Sequence, residues 1–82
     1  MENSKTILVT GIGGLTPRSI TGIIRENHPG YKIIGCDIEK KAMGFFMTMQ
    51  DGKKLVDEYY ICPRCDSPDY FPWIEKLVDK KN

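Results

Sequence analysis

Hydrophobic residues in this chain fall into short clusters whose spacing changes along the sequence. "KTILVTG", residues 5–11, is an apolar, β-branched run closed by glycine, the pattern of a strand covered on both faces. Beyond the glycines the spacing lengthens. Ile20, Ile23 and Ile24 stand at i, i+3 and i+4, which predicts a helix to about Asn27 with this stripe against a sheet and Arg18, Arg25 and Glu26 towards water. Thr16 reads as its cap, helped by Ser19, and Pro17 suits the first helical position, where a missing N–H costs nothing. "HPGY" stops the helix. "YKIIGCD" predicts a second strand ending at Asp37. "EKKAMGFFMTMQ" suits a short helix with Met43, Phe46 and Met47 against the sheet, broken by "DGKK". "VDEYYICP" predicts a short third strand bounded by Pro63. "DSPD" then starts a last helix, capped by Asp66 or Ser67 with Pro68 early in it, running to about Lys80 with Phe71, Ile74, Leu77 and Val78 on one face.

Three alternations of strand and helix predict a single α/β domain over residues 1–82. It is a Rossmann-like three-layer unit around a short parallel sheet with strands ordered third, second, first. In such folds the first strand is central, with the second on one side and a fourth on the other. The chain therefore reads as the front of something longer, truncated before its fourth strand, with one edge of the apolar first strand open. An open edge of that kind is a template for pairing. The expectation is a homodimer in which two first strands pair antiparallel across a two-fold axis, or a strand or loop borrowed from the chain's own tail.

Composition narrows the partners. The 82 residues are 40% hydrophobic and 28% charged with a formal net charge of +1, so there is no field to draw nucleic acid or an anionic membrane. No apolar run approaches a bilayer span and the start lacks the features of a signal peptide, which makes the cytoplasm the default location. Three cysteines, an odd number, fit a reducing compartment better than a disulfide framework.

The candidate chemistry centres on "VTGIGGLTPRSI". Gly11 and Gly13 satisfy the start of G-x-G-x-x-G, with Thr16 where the third glycine belongs. Glycines between strand and helix allow a tight bend and a close ligand, and the first free N–H groups of the helix point at any anion there. Asp37 follows Gly13 by 24 residues, the place of a carboxylate that accepts from a ribose, with a solvated turn residue as the plainer reading. Arg18 offers a bidentate partner for phosphate or carboxylate, or else simply faces solvent.

Three segments in order, "ILVTGIGGLTPRSI", "YKIIGCDIEKKAMGFF" and "DEYYICPRCDSPDYFPWIEKLVDKK", resemble the N-terminal domain that precedes the catalytic domain in ATP-grasp ligases. The likeness is to the branch similar to the carbamoyl-phosphate synthase large subunit and its carboxylate-amine ligase relatives. The resemblance implies a domain that binds an anionic or carboxylate substrate near the glycine turn, through Gly11, Gly13, Gly14, Leu15 and Thr16, with Arg18 and Asp37. It also implies a downstream ATP-grasp domain that grips ATP and magnesium, so that this chain alone holds no cofactor, no metal and no catalytic residue. Cys36, Cys62 and Cys65 depart from the pattern.

Two other readings stand beside it. One is an NAD(P)-binding fragment of a dehydrogenase or epimerase, favoured by Gly11, Gly13 and Asp37 and opposed by Thr16, Pro17 and the missing Tyr-x-x-x-Lys pair. The other is a free-standing interaction module pairing through its sheet edge. Cys62-Pro-Arg-Cys65 has the spacing of a redox pair or half a zinc site. Yet no helix start follows closely enough to activate a thiol, and the only further candidate ligands are Cys36, on a neighbouring strand, and His28, at a helix end on the far side, so spectator thiols are expected. His28 reads as a helix-end residue, and Lys40, Lys41, Lys80 and Lys81 read as solvated charges.

Overall fold

A computed structural model describes residues 5–39, 41–49 and 52–81. The elements are β1 (Thr6–Thr10), α1 (Leu15–Asn27), β2 (Lys32–Asp37), α2 (Met43–Phe46), β3 (Glu58–Ile61) and α3 (Tyr70–Lys81). The fold is α/β: a three-stranded, wholly parallel sheet in which β2 lies between β1 and β3. Partners in register share a face, so Ile7, Val9, Ile33, Gly35 and Tyr59 look one way and Leu8, Ile34, Cys36 and Tyr60 the other.

The first of these faces carries the main core. Ile12, Ile33, Ala42, Phe45, Leu55 and Val56 are buried together, with Val9, Ile24, Met47 and Met49 packed against them. The opposite face is covered by α3 through the buried Leu77. There Glu58 pairs with Lys32 and, at 2.9 Å, with Lys81, while the Tyr60 hydroxyl donates to it at 2.6 Å. Lys32 first, then Tyr60 and Lys81, hold the Glu58 carboxyl down to about 2.

Several expectations need correction. β1 is only half-buried whereas β2 is buried over four consecutive residues, because β2 has a strand on each side and β1 has one. α1 is capped by Gly14 and not by Thr16, with no side-chain cap bond, which places Pro17 third in the helix instead of first. That site is still tolerable, since none of the first-turn N–H groups has an intrahelical partner. Ile20 and Ile23 are 51% and 59% exposed, while Thr21 and Arg25 are the buried residues of α1. In the region expected to form the second helix only one turn is helical. There Phe45 and Met47 meet the core and Phe46 is exposed. The chain then doubles back through an antiparallel bridge between Thr48 and Lys54. The Met43 side chain, Lys40 and the Asp51 of "DGKK" lie outside the described residues. α3 begins at Tyr70, so Pro72 and not Pro68 occupies its first turn. Ser67 accepts from the Asp69 N–H at 3.1 Å. Phe71 and Val78 are exposed, leaving Leu77 as the buried contact.

Burial of Arg25 has a clear cause. Its guanidinium donates to the carbonyls of Tyr31 at 3.3 Å and Leu55 at 3.1 Å and to the Asp57 carboxylate at 3.1 Å. Asp57 Oδ2 also accepts from the Ile33 N–H at 2.8 Å, and the Asp57 N–H donates to Ile33. One side chain thus joins the end of α1, the start of β2 and the approach to β3, through groups that cannot all find water if it is lost. Arg25→Ala is expected to destabilise the chain by about 2–3 kcal/mol in urea denaturation, discounted from a fully buried pair because Asp57 is partly solvated. A loss below about 0.5 kcal/mol, the value for an ordinary surface arginine, would show that the network carries no weight.

Candidate functional site

The glycine turn joins β1 to α1, and each of its residues has a separate task. Gly11 has φ +66°, the left-handed region where a side chain is strained. Its carbonyl accepts from the Gly14 N–H at 2.9 Å, closing the turn. Ile12 points inwards and is wholly buried, and its N–H donates to the Cys36 carbonyl at 3.2 Å. Room for Ile12 is made by glycines elsewhere. A Cβ on Gly35 in β2 would meet Ile12 at 3.3 Å and Val56 at 3.1 Å, and one on Gly44 in α2 would run into the Ile12 carbonyl and side chain.

Asp37, at the end of β2, reaches across to this turn. Its Oδ2 accepts from the Gly13 N–H at 2.8 Å and its Oδ1 from the Glu39 N–H at 3.3 Å. A Cβ on Gly13 would stand 2.9 Å from Oδ2, so glycine is what lets the carboxylate approach. The amide most obviously offered to an anion is therefore already held by a fixed negative charge. Among the described residues the amides of Leu15 and Thr16 lack a protein acceptor, and both residues are exposed at the start of α1. Arg18 folds back on the same turn: Nε donates to the Gly14 carbonyl at 3.1 Å and Nη1 lies 3.7 Å from Met47 Sδ.

Beside the turn, at the carboxyl ends of the strands, lies a cleft of about 390 Å³, the usual ligand position in open parallel sheets. Gly11 and Asp37 form one wall; Ile38 and Tyr70 and the loop holding Cys62 and Cys65 form the rest. Arg64 pairs with Asp66 across that loop at 3.2 Å, with both side chains largely in water. Cys36 and Cys62 are buried side by side, Cys62 in the cleft wall, and Cys65 is exposed. Burial, then the neighbouring Cys62 thiol, pushes the Cys36 thiol up to about 12, and burial raises that of Cys62. Among the described residues no three His, Cys, Asp or Glu side chains converge as metal ligands.

Of the residues singled out from sequence, Gly11, Gly13, Gly14 and Asp37 meet in one hydrogen-bonded turn. Leu15 and Thr16 follow in the first turn of α1, and Arg18 closes over it. Sequence reasoning missed Ile12, Gly35 and Gly44, although a glycine inside the apolar run "KIIGCD" is a usable sign of close approach. It also missed the wall formed by residues 62–66. His28 ends α1 by donating its N–H to the Ile24 carbonyl at 2.8 Å and stacks on Tyr31 at 4.5 Å. No helix among the described residues is long and apolar enough to cross a membrane. Comparison with known proteins finds no matching family model, no matching characterised relative and no matching solved structure.

Raised thiol pKa values mean protonated, poorly nucleophilic sulfur near neutral pH. In the folded chain at about pH 8, iodoacetamide is expected to label Cys65 first, with Cys36 labelled only on unfolding. Mass spectrometry after timed quenching checks the order. Alkylation of Cys36 as fast as Cys65 would contradict its burial.

Proposed function

We propose that this chain is the substrate-side, Rossmann-like front domain of an ATP-grasp-type ligase, of the kind associated with carbamoyl-phosphate synthase and carboxylate-amine ligases. The observation that carries the reading is the contact between Asp37 and the Gly13 amide at the mouth of the cleft. A turn held in shape before a ligand arrives loses less order on binding, and it sets two complementary surfaces. The open amides of Leu15 and Thr16 and the positive end of α1 favour a carboxylate or phosphate. Asp37, acceptor-only when ionised, favours a hydroxyl or amine of the same ligand.

This arrangement also bears on the dinucleotide alternative. A pyrophosphate laid on Gly13 would lie against the Asp37 carboxylate, and like charges at that range repel. A smaller ligand with one anionic end and one hydrogen-bond donor suits this pairing better, although of the substrate-binding residues named from sequence only Gly11 and Asp37 line the cleft itself. ATP, magnesium and the catalytic groups belong, on this reading, to a downstream ATP-grasp domain, and the isolated chain turns over no substrate.

Amide-resolved NMR titrations with inorganic phosphate, glycine and NAD test the reading. Phosphate and glycine at about 1 mM or above are expected to move the Leu15 and Thr16 signals further than that of Gly13, whose N–H is already engaged. Asp37→Asn keeps an acceptor but removes a charge, and should tighten phosphate several-fold. Micromolar NAD binding would favour the dehydrogenase alternative. No response to any of the three at millimolar concentration would leave the turn a purely structural device.

A further inference from the structure

The two sides of the sheet end differently. Lys32 donates its N–H to the Lys5 carbonyl at 2.8 Å, and Thr6 is the register partner of Lys32. By alternation Ile7 and Val9 direct their peptide groups to β2, whereas Thr6, Leu8 and Thr10 direct theirs outwards from the free edge. Above that edge α1 presents Ile20. At about 100° per residue, Arg18 and Arg25 lie on one side of the buried Thr21 and reach Met47, Leu55 and Asp57, on the β3 side of the molecule. Ile20 falls about 100° to the other side, towards β1, and is 51% exposed, whereas Ile23, about 200° round from Thr21, faces away from the sheet. Below the edge runs a groove of about 220 Å³ lined by Leu8, Ile34, Leu77 and Val78, among others. Backbone donors and acceptors and an apolar groove on one face are thus left together.

From this geometry we infer that the edge of β1 is closed by β1 of a second copy of the same chain, antiparallel across a two-fold axis through Leu8. The segment suits itself as a partner. About Leu8, "TILVT" is nearly palindromic: Thr6 meets Thr10 of the other copy, Ile7 meets Val9, and Leu8 meets Leu8. The three outward-facing residues then form three hydrogen-bonded pairs, Thr6 with Thr10, Leu8 with Leu8 and Thr10 with Thr6, each exchanging two bonds. Threonine and β-branched residues are favourable opposite one another in such a ladder. No like charges meet, since Lys5 falls opposite Gly11, and a net charge of +1 gives little repulsion between copies. Within Thr6–Thr10 there is no lysine, proline or bulge of the kind by which exposed strands discourage pairing. The groove beneath Leu8 continues into its own copy, giving the six-stranded sheet a shared apolar layer on that face. The pairing concerns the 82-residue chain and does not rest on the proposed function, under which a downstream fourth strand would take this same edge; Thr10 and Gly11 belong both to the paired segment and to the cleft wall.

Sedimentation equilibrium on the whole chain tests it together with amide exchange and one variant. The expected mass is twice 9.4 kDa at about 100 µM, falling on dilution towards about 1 µM. Under the dimeric condition the Leu8 amide should exchange roughly 100-fold more slowly than under the dilute one. In Thr6→Pro the lost N–H faces away from β2, so the fold is retained and the dissociation constant rises about tenfold or more. A mass of 9.4 kDa at every concentration overturns the inference. So does a dimer whose Leu8 amide exchanges no more slowly than in the dilute sample, or one indifferent to Thr6→Pro, since either would use another face. Should Thr6→Pro lose its circular dichroism signal, the exchange of Leu8 in the unaltered chain decides alone.

Discussion

Ile12 is the residue around which this small domain is arranged. It sits in the middle of the glycine turn, yet its side chain is wholly buried in the core. A turn that looks like an exposed loop is thereby fixed to the centre of the molecule. The space it fills exists because β2 and α2 each carry a glycine at the point of contact, Gly35 and Gly44. Strand, turn and helix can approach so closely only with those two positions bare. The Ile12 N–H, bonded to the Cys36 carbonyl, then extends the β1–β2 ladder into the turn and brings Gly13 within reach of Asp37. The shape of the candidate site is therefore a consequence of core packing.

Polar interactions secure the rest, and they do so unevenly. Arg25 and Asp57 join α1, β2 and the approach to β3 on one face, and Glu58 joins β2, β3 and α3 on the other. Both networks lie on the β3 side of the sheet. The β1 side has no counterpart among the described residues; isoleucine and leucine side chains and open peptide groups stand there instead. For a chain of 82 residues this asymmetry matters, since domains of this size bury only about 60% of their unfolded surface and gain most from one more covered face.

Strand and helix order was legible because punctuation was strong: glycines after β1, "HPG" after α1, Pro63 after β3. The contact between Asp37 and the glycine turn was half legible. An acidic residue at the end of the second strand is a known partner of such turns, but its spacing could not tell whether it faces a ligand or the turn's own amide. Arg25 was misread because an arginine beside an isoleucine stripe is ordinarily solvated. Its acceptors, the Leu55 carbonyl and Asp57, lie 30 and 32 residues away, beyond any local pattern. The isoleucine stripe failed for the complementary reason: periodicity shows that a helix has an apolar side, not which neighbour covers it. Gly35 and Gly44 were single letters whose meaning depends on Ile12, a contact visible only in three dimensions.

The claim that Ile12 fixes the turn through the space left by Gly35 is tested most directly by a double-mutant cycle. Gly35→Ala alone forces a Cβ against Ile12, and Ile12→Ala alone leaves a cavity expected to cost about 2–5 kcal/mol. In the double variant the new methyl group occupies part of the vacated space. Urea denaturation of the four chains should therefore show the double variant less destabilised than the sum of the singles by about 1 kcal/mol or more, with the Gly13 amide signal displaced in every chain lacking Ile12. Strict additivity, together with an unmoved Gly13 signal in Ile12→Ala, would mean that the turn holds its shape without the core and would contradict this account.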